Sequence, residues 1–193
     1  MLLNQFTAHL RTSTPLAAVC GLVLFAQGSF TRPARSEKLS SDDASFLKDA
    51  AQDGMAEVQF AQLALKKTAR PSIKKCARRM IADHTKTNEK LKAIAKANNV
   101  DLPSGVGLKN DAEKARLTIL SGKDFDYSFV NAMVDDHKSV VEKYEKEAPR
   151  ADSPEVKQFI ATTLPILKQH LQMVRTTEGD LLSTNRKVDG RDR

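Results

Sequence analysis

Apolar residues recur at spacings of three and four along four long stretches of this chain, the period of one buried face of an α-helix. The stretches are separated by proline-containing breaks, and two of them open with a serine N-cap signal, at Ser41 and at Ser153 before Pro154. Four long helices are therefore predicted, over about residues 43–68, 73–98, 124–148 and 153–182. Pro165 lies inside the fourth of them and predicts a kink there.

The connection between the second and third helices is much longer than the other two. It spans about 25 residues, contains Pro103, Gly105 and Gly107, and holds a short predicted helix from Asp111 to Leu120. Adjacent antiparallel helices need only a few residues to join them. The pattern therefore predicts an all-α fold, a ferritin-like four-helix bundle with a long crossover containing a short helix.

Composition agrees with helices and argues against a nucleic-acid partner. Aromatic residues make up 5% of the chain and Trp is absent. The net charge is +7, yet residues 39–185 carry 23 Lys and Arg against 21 Asp and Glu, so most of the excess lies at the two ends. Basic ends on a nearly neutral body, without a nucleic-acid-binding motif, are a weak electrostatic signal.

The first 28 residues have the form of a signal peptide. Arg11 precedes an apolar segment at 15–26, which is too short to span a bilayer, and Ala26-Gln27-Gly28 supplies small residues for cleavage after Gly28. We expect a periplasmic or secreted protein whose mature chain has no transmembrane helix; an uncleaved N-terminal anchor is the alternative. Residues 29–42 are then a disordered linker, 43–182 the bundle and 183–193 a disordered basic tail.

Cysteine usage excludes an intramolecular disulfide in the mature chain. Of the two cysteines, Cys20 lies in the leader and Cys76 in the second predicted helix. A buried inert thiol is the expected role of Cys76, with metal ligation as the alternative.

Polar residues interrupt the apolar stripes at one position in each helix. Met80-Ile81-Ala82-Asp83-His84 returns 53 positions later as Met133-Val134-Asp135-Asp136-His137, and both histidines fall on the inward stripe. The stripes of the four helices carry, in chain order, Glu57, His84, His137 and His170. Counting residues from the turns places the first three near the middle of the bundle. His170 is predicted to lie roughly 6–7 Å from that level along the helix axis, at a rise of about 1.5 Å per residue.

Buried polar groups must satisfy each other, bind water or bind a metal ion, since each unpaired group costs about 1–3 kcal/mol. One glutamate and three neutral imidazoles suit a single Zn, Fe, Mn or Cu ion, with Asp83 and Asp136 as outer partners of the ligands. A Glu and His hydrogen-bond network that fixes helix register explains the same residues. Each aspartate caps a neighbouring helix, orients an imidazole, or is exposed and pairs with Lys86 or Lys138.

Four segments resemble a known family, the exported bacterial proteins grouped as domain of unknown function 4142, which are related to the ferritin-like superfamily. These segments are Gly54-Met55-Ala56-Glu57-Val58, the run from Arg79 to Asn88, Met133-Val134-Asp135-Asp136-His137, and the run from Thr163 to Leu171. The resemblance implies a ferritin-like fold and export, and it implies no activity.

A ferritin-type di-iron centre is disfavoured by the sequence. Such centres use a Glu three residues before a ligating His, and this chain has Ile81, Val134 and Leu167 at those positions. No complete catalytic motif is present. The leading hypothesis is an exported bundle whose Glu and His centre binds a transition metal. A metal-dependent oxidoreductase related to ferritins, and a purely structural envelope or stress protein acting by association with itself or other envelope proteins, are the alternatives.

Overall fold

A computed structural model describes residues 38–188, with side chains described as far as residue 184. Five α-helices account for most of this part of the chain: α1 Ser41–Lys67, α2 Pro71–Ala97, α3 Leu108–Ile119, α4 Gly122–Glu147 and α5 Pro154–Val188. The predicted all-helical architecture is confirmed, and the short helix lies in the long connection as expected. The predicted signal peptide and residues 29–37 of the predicted linker lie outside the described residues, and the last two linker residues, Ser41 and Asp42, belong to α1.

Local signals set the helix boundaries. The Ser40 hydroxyl accepts a hydrogen bond from the Asp43 backbone N–H at 3.1 Å, which caps α1. Prolines occupy the first positions of α2 and α5, where the missing N–H has no intrahelical partner to lose. The last helix passes through Pro165 without interruption and continues to Val188, beyond the predicted bundle boundary at residue 182. Residues 183–188 of the predicted tail are thus helical, and 189–193 lie outside the described residues.

Four long helices pack as a closed bundle in which each contacts two neighbours. The principal pairs are α1 with α2, α4 with α5, α2 with α5 and α1 with α4, while α3 rests against α1 and α4. Arg70, in the α1–α2 turn, bonds to Asp126 near the start of α4 at 3.2 Å. The connection from α2 to α4 therefore runs the length of the bundle. Among the helices of residues 38–188, none combines the length and apolar composition needed to cross a membrane.

Two apolar clusters fill the bundle, one towards each end. The cluster nearer the α1–α2 turn includes Phe60, Ile73, Met80, Phe129 and Met133. The cluster nearer the other end includes Phe46, Leu47, Leu91, Tyr144 and Phe159. The positions of Glu57, His84, His137 and His170 along their helices fall between the two clusters, so the polar residues occupy the middle of an otherwise apolar core.

Gly54 marks a close approach of α1 and α2. A Cβ built on Gly54 would collide with Oδ1 of Asn88 and lie 3.1 Å from its Cγ. We expect Gly54→Ala to leave stability close to that of the wild type, because displacing the half-buried Asn88 side chain offsets the gain in helix propensity of about 1 kcal/mol. With Asn88→Ala added, the propensity gain remains and the double variant should exceed the parent Asn88→Ala protein in stability.

Urea unfolding of the four proteins in this cycle measures the coupling between the two positions. Additive effects of the two substitutions would contradict a steric conflict between residues 54 and 88.

Candidate metal centre

The four polar residues on the inward stripes meet at one point in the bundle. Nε2 of His84 lies 2.7 Å from Oε2 of Glu57 and 3.1 Å from Nδ1 of His170, and Nε2 of His137 lies 3.4 Å from Oε1 of Glu57. All four residues are buried. The offset along α5 that the sequence predicted for His170 does not keep it from the centre, since its Nδ1 contacts His84.

His137 presents a lone pair to the centre. Its Nδ1 lies 3.0 Å from the backbone carbonyl of Met133, which can only accept, so Nδ1 carries the proton. In the neutral imidazole, Nε2 is then an acceptor. This atom is fully buried and has no hydrogen-bond partner among the described residues. Its nearest polar neighbour, Glu57 Oε1, is also an acceptor when ionised, so a cation between them would satisfy both.

His170 is oriented in the same way by a carboxylate. Its Nε2 donates to Oδ2 of Asp83 at 2.9 Å, which leaves the lone pair of Nδ1 directed at His84. Asp83 also pairs with Arg79. Although burial works to raise the pKa of Asp83, hydrogen bonds from His170 and Arg79 hold that pKa below its ordinary value. Asp83 is therefore an ionised partner that fixes the His170 tautomer, as carboxylates commonly do for metal-binding histidines.

Burial keeps the three imidazoles neutral. It lowers the pKa of His84 to about 4 and that of His170 to about 4, and it also lowers the pKa of His137. At neutral pH none of these histidines competes with a metal ion by holding an extra proton.

Asp136 does not orient an imidazole; it contacts Glu57. Burial, followed by the charge of Glu57 and a hydrogen bond to it, raises the pKa of Asp136 to about 8. Burial also raises the pKa of Glu57. The two carboxyl groups therefore retain a proton at neutral pH, with Asp136 donating to Glu57. The two aspartates of the repeated motif thus have different partners, which the motif itself does not indicate.

Two overlapping groups of side chains have the spacing that a metal ion requires. The ligand atoms of His84, His137 and His170 all lie within 4.8 Å of one another, and so do those of Glu57, Asp136 and His137. Sequence reasoning found the first group but gave Asp136 only an outer role. Its position about 100° from His137 around the helix allowed a place beside Glu57, but nothing in the sequence selected it.

Cys76 lies apart from this chemistry. It is buried in the apolar cluster nearer the α1–α2 turn, and burial raises its thiol pKa to about 12. A thiol with this pKa stays protonated at neutral pH, which agrees with an inert core residue.

The family described as "Domain of unknown function (DUF4142)" matches residues 29–177. The chain belongs to this family. The resemblance noted from the sequence is thereby confirmed. No curated protein matches the chain.

Several solved structures share the fold at low sequence identity. A DUF305 fragment from Deinococcus radiodurans aligns with a TM-score of 0.66 at 16% identity, covering 75% of this chain and 98% of that one. CopM in the Cu(I)-bound form aligns with a TM-score of 0.60 at 20% identity, covering 72% of this chain and 96% of that one. CopM in the Cu(II)-bound form aligns with a TM-score of 0.57 at 19% identity over the same shares. At these identities the similarity shows a common helical fold.

Proposed function

We propose that this protein is an exported helical bundle that binds one divalent transition-metal ion with Glu57, His84, His137 and His170. The observation that carries the proposal is the buried Nε2 of His137, an acceptor with no donor in reach, which faces Oε1 of Glu57 at 3.4 Å. Water or a proton could satisfy one such atom. Neutral nitrogens at His137 and His170, each held in one tautomer by a hydrogen bond at its other nitrogen, form a donor set typical of a metal ion.

The donor set favours Cu(II) first and Zn(II) second. Imidazole nitrogen suits both ions, whereas Mn(II) and Mg(II) prefer oxygen, and affinity for a given nitrogen and oxygen site is highest for Cu(II) among divalent first-row ions. Two of the structures with a similar fold are of CopM in copper-bound forms. That similarity adds support for copper beyond the donor set of this chain.

A ferritin-like ancestry is part of the same proposal. One donor from each of four long helices, and a crossover that runs the length of the bundle, support it. A di-iron oxidase activity is not expected, because Ile81, Val134 and Leu167 replace the glutamates that such a centre needs. Fe(II) added under air should therefore oxidise at the rate of the buffer alone.

Export is proposed on the apolar segment at 15–26, which precedes the described residues. Determining the N-terminus of the mature protein tests it directly, and cleavage after Gly28 is the expected result. A chain that retains Met1 would exclude a cleaved leader.

Metal titration of chelator-treated protein tests the binding proposal. Calorimetry with Cu(II) and with Zn(II) should give one ion per chain, and a ligand concentration of about 100 Kd should stabilise the fold by about 2.7 kcal/mol. The double variant His84→Ala, His137→Ala should abolish this binding. Thr163→Ala, which removes another buried polar group from α5, should retain it. Wild-type protein that binds neither ion would leave a structural hydrogen-bond network as the role of these residues.

Asp83→Asn should weaken binding about 10–100-fold without changing the stoichiometry, since Asp83 orients His170 from outside the ligand set. An unchanged affinity would remove Asp83 from the centre.

A further inference from the structure

The proposed centre is closed to solvent, so an ion needs a route to it. The side chains of Glu57 and His137 are 1% and 0% exposed, and apolar clusters lie on both sides of the centre along the bundle axis. Entry must therefore occur between helices rather than through either end of the core. A pocket between α2 and α5 touches His170, but Lys75, Arg78 and Arg79 line it and repel a cation.

A pocket between α3 and α4 reaches the centre from the side. Its volume is about 450 Å³. α1 contributes Phe60 to its lining, α3 contributes Lys109, Asn110 and Glu113 among others, and α4 contributes Asp135 and Asp136. Only Asn110 and Leu117 of α3 are buried, so this helix is attached to the bundle less firmly than the long ones.

Asp136 joins the pocket to the centre. It lines the pocket, and its carboxylate lies in one group with the ligand atoms of Glu57 and His137, all within 4.8 Å of one another. We call Glu57, Asp136 and His137 the outer group. His137 also belongs to the inner group, which it forms with His84 and His170. Two side chains of the outer group, Glu57 and His137, are almost fully buried and each has an atom that lacks a hydrogen-bond partner, Oε1 and Nε2 respectively. These atoms point to a ligand between them.

The pocket offers a cation two carboxyl groups that lie outside its internal ion pair. Arg116 is paired with Glu113 through hydrogen bonds of 3.0 and 2.6 Å. The remaining ionisable residues of the lining are Asp135, Asp136 and Lys109. Two carboxyl groups thus face one ammonium group, and Asp136 is the one next to Glu57.

We propose that Glu57, Asp136 and His137 form an entry position for the metal ion, from which it moves to the inner position at His84, His137 and His170. Glu57 and His137 stay in contact with the ion during the move, while the carboxylate of Asp136 is replaced by imidazole nitrogen. Oxygen ligands exchange readily and imidazoles hold divalent transition metals more tightly, so this order carries the ion inward. This inference rests on the proposed function.

Stopped-flow binding of Co(II), whose visible absorption reports coordination, tests the entry position in chelator-treated full-length protein. Asp136→Asn should slow association at least about tenfold. Dissociation should slow by a similar factor, so the equilibrium affinity should change less than about threefold, because the variant alters the path and not the final ligands. Asp135→Asn is the matched control, since it removes the same chemical group from the same pocket one residue away. Its rates should change less than about threefold.

The other outcomes separate the two proposals. Equal slowing by both variants would show general electrostatic attraction, and a large loss of affinity at an unchanged association rate in Asp136→Asn would make Asp136 a permanent ligand. Wild-type rates in Asp136→Asn would show that the ion enters elsewhere. Each of these overturns the entry position and leaves the inner site standing, whereas wild-type protein that takes up no metal overturns the proposed function.

Discussion

Glu57→Gln is expected to lower the affinity for Cu(II) and Zn(II) at least about 100-fold, a loss of about 2.7 kcal/mol, while the metal-free protein stays folded and becomes slightly more stable. The amide keeps the shape of the side chain but has no charge to attract the ion. In the metal-free protein the same charge is buried at a cost, and removing it relieves that cost. Metal affinity and stability should therefore change in opposite directions.

The same variant should change how the stability of the metal-free protein depends on pH. Asp136 has a folded-state pKa of about 8, above its unfolded value, so its stabilising contribution is present at low pH and is lost as the pH rises towards 8. Between pH 6.5 and 8 the loss from Asp136 should be about 1–2 kcal/mol in the wild type, partly offset by the histidines. Because the charge of Glu57 helps to raise that pKa, Glu57→Gln should flatten the decline.

The histidines act in a different pH range. The folded-state pKa values of His84 and His170 are about 4, below the ordinary value of 6.5, so their contribution is complete only about one pH unit above 6.5 and is lost as the pH falls towards 4. Between pH 6.5 and 8 the histidines add a small rise in stability to both proteins, so the difference between wild type and Glu57→Gln reports the carboxyl pair.

Urea unfolding of chelator-treated proteins at pH 6.5 and 8, together with calorimetric titration, measures both effects. Asp53→Asn is the control, because it also converts a carboxylate of α1 to an amide, one turn from Glu57, and breaks a pair with Lys143. It should retain metal affinity within about threefold. A Glu57→Gln protein with wild-type affinity would remove Glu57 from the ligand set.

Asp43→Ala is expected to destabilise the protein by about 3 kcal/mol without changing metal stoichiometry. The Asp43 side chain is completely buried, and its carboxylate accepts from the backbone N–H groups of Asp152 at 3.3 Å and Ser153 at 2.8 Å. These bonds fasten the start of α1 to the turn between α4 and α5. Alanine leaves both amides without this partner, and bonds to a charged acceptor are worth about 1.5–3 kcal/mol each.

Asp42→Ala is the matched control for this prediction. Asp42 is the same residue type one position earlier, but it is exposed and its nearest cation, Arg150, is 3.7 Å away. Removing it should cost less than about 0.5 kcal/mol, since exposed ion pairs contribute little. Chemical denaturation of both variants measures the two losses in free energy of unfolding. Equal losses would mean that the bonds across the turn contribute nothing.

Much of the fold could be predicted from local pattern. The number and order of the helices follow from apolar residues at helical spacing, and the start of α5 at Pro154 follows from the chemistry of helix ends. The cap of α1 is Ser40, one residue before the predicted Ser41. The extension of α5 to Val188 could not be predicted in this way, because polar residues after Ser183 give no apolar stripe to follow. The role of Asp43 also depends on a turn more than 100 positions away, which a local pattern does not contain.

The same distinction between local pattern and tertiary contact applies to the candidate site. The sequence by itself determined which side chains face the core, because helical periodicity fixes the direction of each one: Glu57, His84, His137 and His170 all point inward. Only the tertiary structure decided which side chains contact each other. Asp83 bonds to His170, Asp136 contacts Glu57, and His170 lies level with His84. These contacts depend on the relative shift and rotation of packed helices, which side-chain packing between helices sets and the pattern within one helix does not specify.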